Sequence, residues 1–436
     1  MQHARSPLAH HPRHHDRRLH AGRQGTMTAA RTAGSIYRHR PFVRYWVART
    51  AASLAFQMQA VAVGWQVYAL TGNPLDLGLI GLSLFLPSLL LLFVIGPAAD
   101  RYNRKTIVSM AQAIEGIAVA TLLVGTAGGW LTRELIFATI FLLGVGRAFE
   151  APTVASLLPG IVPPELLSRA VAGASSATQA AFIIGPALGG VLYLVSPSLV
   201  YGLCCGLFLT SSILIASLAT TAPVSRAPLS MTAVFTAIRF IRREPLILGA
   251  ITLDLFAVLL GGAMALLPVY ARDVFHAGPW GLGLLRTAPA VGALLMSIVL
   301  TRWHIQRAGR VMFAGVAMFG ITTTVFALST SFVLSLAMLA ILGAADMVSI
   351  VVRQTLVQLR TPDEMRGRVS AVNSLFVGTS NQLGDFRAGV SAALFGTVSA
   401  VLIGGVGALF VAGICVKLFP DLFKVDRLDE QRNGTR

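Results

Sequence analysis

The chain has 436 residues, 55% of them hydrophobic and 12% charged, with a mean hydropathy of +0.72. A water-soluble domain carries roughly 25% charged residues, so the polar surface here is too small to cover a soluble protein, and the bilayer is its solvent. The formal net charge of +17 would suit nucleic acid. Its placement argues otherwise, because Lys and Arg gather in alternate loops between apolar runs, the pattern that orients a membrane protein.

In chain order, the first 41 residues hold His3, His10, His11, His14, His15, His20 and His39 among many Arg, without apolar periodicity. They read as a disordered, basic, His-rich cytoplasmic tail. A metal-binding tract and an Arg-rich transit peptide are the alternatives, and a start at Met27 would remove most of the His cluster.

A membrane span needs about 20 mostly apolar residues. Such runs fall at 46–70, 77–95, 107–125, 135–155, 170–194, 199–218, 246–270, 282–300, 311–328, 332–352, 369–394 and 401–419, which predicts about twelve transmembrane helices and no large soluble domain. Arg101, Arg104 and Lys105 follow the second run, Arg169 the fourth, and Arg226, Arg239, Arg242 and Arg243 the sixth. Arg302, Arg307 and Arg310 follow the eighth, Arg360, Arg366 and Arg368 the tenth, and Lys417, Lys424 and Arg427 the twelfth. The opposite loops offer little beyond Arg133 and Arg272. Both termini are therefore expected in the cytoplasm of a bacterium, around a multi-pass inner-membrane protein whose basic loops favour anionic lipid. Cys204, Cys205 and Cys415 lie in apolar runs as small hydrophobes, and no disulfide framework or zinc spacing is present, so neither metal nor cofactor is expected.

The chain repeats itself at an offset of 199 residues. Leu143-Gly144 falls on Leu342-Gly343, Leu157 on Leu356, Pro163 on Pro362, Glu165 on Glu364, Arg169 on Arg368, Gly185 on Gly384 and Gly190 on Gly389. The match sets runs four and five on ten and eleven, which predicts two parallel six-helix repeats at 42–219 and 245–419, with a tail at 420–436. Parallel repeats of this kind hold substrate at the interface between halves. The linker at 220–244, with Phe235, Ile238 and Ile241 beside Arg239, Arg242 and Arg243, suits an amphipathic helix on the membrane surface.

Gly96-Pro-Ala-Ala-Asp100-Arg101-Tyr-Asn-Arg104-Lys105 follows the second run and resembles the loop signature of the major facilitator superfamily. Asp100 suits the start of the next helix, where the macrodipole favours an anion, and the basic residues suit lipid head groups. The loop of the second half keeps Arg307, Gly309 and Arg310 but lacks the Asp-Arg pair. Gly185-Pro186-Ala-Leu-Gly189-Gly190 resembles the motif of the superfamily's proton antiporters; close helix packing and a role in coupling both fit it. Leu253-Asp254-Leu-Phe-Ala257, Gly261-Gly262-Ala263, Leu266-Leu267-Pro268-Val269, Gly281-Leu-Gly-Leu-Leu285 and Ser380-Asn-Gln-Leu-Gly-Asp385 resemble the subfamily containing enterobactin and macrolide exporters. Ala151 departs from the superfamily's fourth-span motif, which has glycine there.

An ionisable side chain in a span costs about 2.5 to 3.5 kcal/mol, so it faces a cavity or a partner. The candidates are Glu115, Arg147, Glu150, Asp254, Arg286, Asp346, Arg353, Asp385 and Arg387. Arg147 and Glu150, three apart, suit a mutual pair, as do Asp385 and Arg387 with neighbours, and Arg353 lies near the cytoplasmic end, where it can snorkel. The resemblance implies that runs one, four, seven and ten line the cavity. That places Arg147, Glu150, Asp254 and Asp346 there, joined by Gln59 and Gln66 of run one with Trp65 nearby; these amides suit hydrogen bonds either to substrate or to other helices. Asp254, with no Lys or Arg within one turn, is the expected proton carrier; a fixed hydrogen bond or salt bridge, to Arg147 for example, is the competing role.

These readings predict an all-α membrane protein of the major facilitator fold, a monomeric transporter that expels a siderophore or drug-like molecule in exchange for protons. A proton-coupled importer and a membrane-embedded enzyme or channel are the alternatives. No Walker sequence and no H-E-x-x-H occurs, so ATP hydrolysis and zinc proteolysis lack their usual groups. Alkaline phosphatase fused after Arg427 should be inactive in cells and a cytoplasmic fluorescent protein fused there should glow; the reverse result would invert the topology.

Overall fold

The computed structural model describes residues 36–219, 231–302 and 305–426. The His-rich tract from His3 to His20, Met27, the linker before Met231 and the last ten residues lie outside them. The helices are α1 (Arg40–Thr71), α2 (Pro74–Leu90), α3 (Leu92–Arg101), α4 (Arg104–Ala127), α5 (Arg133–Leu157), α6 (Leu167–Val195), α7 (Pro197–Ala216) and α8 (Met231–Arg243). They continue with α9 (Pro245–Gly261), α10 (Gly278–Arg302), α11 (Ala308–Leu328), α12 (Phe332–Arg360), α13 (Asp363–Phe395), α14 (Thr397–Leu418) and α15 (Pro420–Phe423). Among the described residues there is no strand.

The boundaries follow local chemistry. Gly72 ends α1 in the left-handed region, and Asn73 caps α2 by accepting from the Leu75 N–H. Thr132 and Ser331 accept N–H groups at the starts of α5 and α12, and Pro245 opens α9.

Nine helical segments among the described residues are long and apolar enough to cross a membrane. The expected twelve would need α1, α2 and α13 as well. Of these, α2 is short, while α1 and α13 carry many polar side chains. All three nevertheless run beside the nine: α1 packs on α6 and α7, α2 on α5 and α13, and α13 on α9 and α14.

The pairings repeat. In the first half α1 meets α6 and α7, α2 meets α5, and α4 meets α5 and α7; in the second, α9 meets α13 and α14, α10 meets α12, and α11 meets α12 and α14. Between the halves, α6 packs on α10 and α2 on α13. These crossings are backbone to backbone. A Cβ built on Gly190 would lie 2.5 Å from the Pro279 carbonyl, one on Gly283 2.6 Å from that of Pro186, and one on Gly78 3.0 Å from that of Phe386. Lipid tails are as apolar as leucine, so helices in a bilayer gain most by such close approach of small residues. Every one of these contacts lies in the part of its helix remote from the basic loops. Nearer those loops, a Cβ on Gly96, Gly367 or Gly378 would meet nothing within 4 Å. Among the described residues, the glycine contacts between the halves close one end.

Several sequence expectations change in three dimensions. The second span breaks at Leu91 into α2 and α3, where Pro87 and Pro97 each remove a helical N–H. Asp100 lies in the last turn of α3, and Asn103 takes the capping place at the start of α4. The seventh span is not one helix. After Gly261 the backbone turns at Gly262 (φ 43°), passes through a 3₁₀ turn at Ala263–Leu266 and ends in a π turn at Tyr270–Val274. Any side chain at Gly262 would strike the Gly384 carbonyl 2.6 Å away. Residues 36–41 are folded rather than tail, with Ile36 buried, and so are residues 420–426. Leu422 is fully buried, and the N–H groups of Arg307 and Ala308 bind the Asp426 carbonyl at 2.5 and 3.2 Å. In α8, Ala237 and Ile241 are buried against Ile247, Val357 and Val369, while Phe235 is 61% exposed, so only part of its apolar face is left for lipid.

The tightest crossing inside a half joins α10 to α12, where a Cβ on Gly292 would strike the Ala340 carbonyl and one on Gly343 that of Pro289. Gly292→Ala and Gly343→Ala should each cost about 1 to 3 kcal/mol or more in thermal unfolding of the purified protein. Gly206→Ala and Gly413→Ala, which meet open space, should be neutral.

Candidate functional site

Burying a charge in a bilayer requires a partner, and the two halves meet this demand with separate clusters. In the first, Arg147 Nη1 binds Glu150 Oε2 at 2.6 Å, and the guanidinium carbon lies 4.3 Å from the centre of the Phe56 ring of α1. Gln112 of α4 donates to Glu150 Oε1 at 2.9 Å, and Ser211 of α7 donates to Gln112 at 2.8 Å. The mutual pairing of Arg147 and Glu150 is thus observed within a four-helix network. Glu115, one turn from Gln112, is fully buried beside Glu150 and Arg147, and among the described residues no donor reaches either of its oxygens. Gly146 makes room for it, since a Cβ there would lie 2.7 Å from Glu115 Cγ.

The second cluster joins α9, α12 and α13. Asp254 Oδ2 lies 3.2 Å from Arg353 NH2, the Ser349 hydroxyl donates to Asp254 Oδ1 at 3.2 Å, and Arg353 NH1 donates to Asn373 Oδ1 at 2.8 Å. The salt bridge weighed for Asp254 is present, and the place expected of Arg353 is corrected. Asp254 has a cationic partner, which is Arg353 and not Arg147, and Arg353 is 3% exposed instead of snorkelling. The partner comes from a helix nearly a hundred residues away, beyond the reach of a search within one turn. Asp346 has no hydrogen bond among the described residues, and it lines a narrow cleft with Asp254, Ser349, Gly315 and Phe319.

The other predicted residues divide. Gln66 donates to Thr126 at 3.1 Å and accepts from Tyr201 at 2.6 Å, which ties α1 to α4 and α7 inside the first half and takes its amide away from a central cavity. Gln59 is 2% exposed, and its Oε1 has no partner among the described residues. Arg104 donates to the Ser156 carbonyl at 3.2 Å and Lys105 to that of Leu218 at 3.0 Å, so these loop cations cap helix ends instead of reaching for head groups. Arg101 is exposed beside Tyr102. In the glycine motif, a Cβ on Gly185 would lie 2.6 Å from Gln57 Cβ and one on Gly189 2.7 Å from the Met58 carbonyl, while Gly190 faces α10. With Pro186 offering its carbonyl to Gly283, the motif seats α6 on α1 and α10 at once.

Residues that the sequence left outside the site also matter. Arg387 does not pair with Asp385; it donates to the carbonyls of Leu259 and Leu260 at 3.1 and 2.5 Å, supplying partners where α9 stops. Arg133 and Arg272, the exceptions among the less basic loops, have acids beside them. Arg133 Nε donates to Asp76 at 2.9 Å, and Arg272 donates to the Tyr68 carbonyl at 2.9 Å while the Tyr68 hydroxyl donates to Asp273. The last contacts tie α1 to the turn after α9, at the closed end. Arg49 of α1 donates to Thr178 at 3.0 Å. Charge in the wrong loop was the one sequence signal for Arg133 and Arg272.

Two matched helical bundles, each with a buried charge network and joined through glycine contacts, define a multi-pass membrane transporter. The chain matches the profile of the transmembrane secretion effector family over residues 32–433 and belongs to that family, within the major facilitator superfamily. The enterobactin exporter EntS of Citrobacter koseri is 29% identical over 369 residues, 82% of this chain and 85% of the relative; that of Salmonella typhimurium is 28% identical over 370 residues with the same coverage. Among solved structures, an inward-facing bacterial homologue of the iron transporter ferroportin aligns with a TM-score of 0.67 at 18% identity, covering 90% of this chain and all of that one. The shared fold is that of the major facilitator transporters, and the family is one of transporters, not enzymes.

Removing one partner of a buried ion pair leaves the other uncompensated, at about 3 to 5 kcal/mol. Arg353→Gln should therefore destabilise strongly by exposing the Asp254 charge, and Asp254→Asn less, because Arg353 keeps Asn373. In a double-mutant cycle read by thermal unfolding, the paired variant should be more stable than Arg353→Gln alone.

Proposed function

We propose that this transporter exports a small molecule, of siderophore or drug-like kind, from the cytoplasm in exchange for protons. The alignment with enterobactin exporters over 82% of the chain carries the direction of transport. The one-ended closure supports alternating access: contacts through Gly190, Gly283, Gly78 and Gly389 close one end, while Gly96, Gly367 and Gly378 toward the other meet open space. With both termini and the linker in the cytoplasm, the closed end is periplasmic and the open end awaits cargo. Export then requires the glycine contacts to separate as the basic loops come together. The unit is a monomer among membrane lipids.

Asp254 is the proposed proton carrier. Its ion pair with Arg353 binds the middle of α9 to α12, about two turns before α9 stops at Gly261. A proton arriving on Asp254 releases Arg353, and its departure restores the pair, so that charge state and helix contact change together. Asp346, facing the same cleft, and Glu150 are the next candidates.

Two measurements test this reading. Culture supernatants of a deletion strain should lose a metabolite that the parent secretes; retention that falls on deletion and rises on overexpression would mean uptake. In vesicles with an imposed proton gradient, Asp254→Asn should abolish gradient-driven transport while substrate binding stays within about twofold. Transport with unchanged pH dependence would remove Asp254 from the role.

A further inference from the structure

The proposed export leaves the cargo's chemistry open, and one side chain between the halves bears on it. Arg286 of α10 stands one turn beyond Gly283, whose backbone meets α6 of the other half. Its guanidinium reaches α1: a Cβ built on Gly64 would lie 3.7 Å from Arg286 NH2 and 3.4 Å from Pro268 Cγ. Among the described residues Arg286 makes no hydrogen bond or ion pair, and its Nε is sealed from solvent without a partner. The residue as a whole keeps partial access. Asp385 of α13 acts on it electrostatically but does not close to an ion pair, and instead sits against α2, with Oδ2 3.9 Å from a Cβ built on Gly81.

The other interior arginines are committed. Arg147 has Glu150, Arg353 has Asp254 and Asn373, and Arg387 has two carbonyls. Arg286 is the exception, and it lies where parallel-repeat transporters hold substrate, with groups of both halves around it. A cation kept in a low-dielectric site with open donors is completed by an anion that comes and goes. The guanidinium fork matches a carboxylate or a phenolate, each of which accepts charge-assisted hydrogen bonds.

We propose that Arg286 anchors an acidic group of the cargo, a carboxylate or phenolate, and that Asp385 steadies the guanidinium while the site is empty. The inference takes from the export reading only the direction of movement. Binding the acid requires neither a proton gradient nor Asp254.

The test uses the full chain in lipid nanodiscs and two probes of one shape, 2-naphthoate and the neutral 2-naphthamide, followed by equilibrium binding. Wild type should hold the acid at least tenfold more tightly than the amide. Arg286→Gln should erase that preference, Arg286→Lys should keep most of it, and Asp385→Asn should tighten the acid severalfold by removing a competing anion. Equal binding of the two probes by wild type overturns the proposal. So does a preference that survives Arg286→Gln in protein with an unchanged melting profile. Wild type that prefers the acid but fails to export would refute the export reading and leave the anion site standing; export with unchanged probe preference in Arg286→Gln would do the reverse.

Discussion

The bilayer offers no water to a buried polar group, and the architecture of this transporter follows from that constraint. Backbone groups must be satisfied within helices, and where a helix stops inside the fold, another group must take over. The end of α9 shows the rule at work. Two glycines let the chain turn, the turn leaves the carbonyls of Leu259 and Leu260 without helical donors, and Arg387 arrives from α13 to bind them. An arginine that looks like a charge in search of a carboxylate is a cap.

The same constraint shapes the contacts between helices. Hydrophobicity drives chains into the membrane but does little to hold helices together there, so cohesion comes from close approach. Glycine supplies it twice over, inside the halves at Gly292 and Gly343 and between them at Gly190 and Gly283. The first pair belongs to a fixed bundle. The second belongs to a seam that the proposed cycle opens and closes, and a contact made of bare backbone can part without unpicking interlocked side chains.

Charge is distributed along the same division. Each half has its own network, Arg147–Glu150–Gln112–Ser211 in one and Asp254–Arg353–Asn373 in the other. The seam carries Arg286 and Asp385, drawn together electrostatically but not paired. Internal networks of this kind hold a bundle's helices in register, whereas an unpaired charge at a seam leaves capacity for something that is not part of the protein.

Much of this was legible in the amino-acid order, because the properties involved are local and additive. A run of twenty apolar residues reads as a span whatever surrounds it, and a repeat at 199 residues implies matched helix pairings. The Arg147–Glu150 pair was readable too, since three residues on a helix bring side chains together. Tertiary structure decided whatever depends on which helices touch. It gave Asp254 a partner from α12, turned Gln66 into a tie within one half, assigned Arg104 and Lys105 to helix ends, and left Arg286 between the halves unpaired among the described residues. A side chain's partner in a membrane protein is set by the packing of distant spans, and no spacing along a single span encodes it.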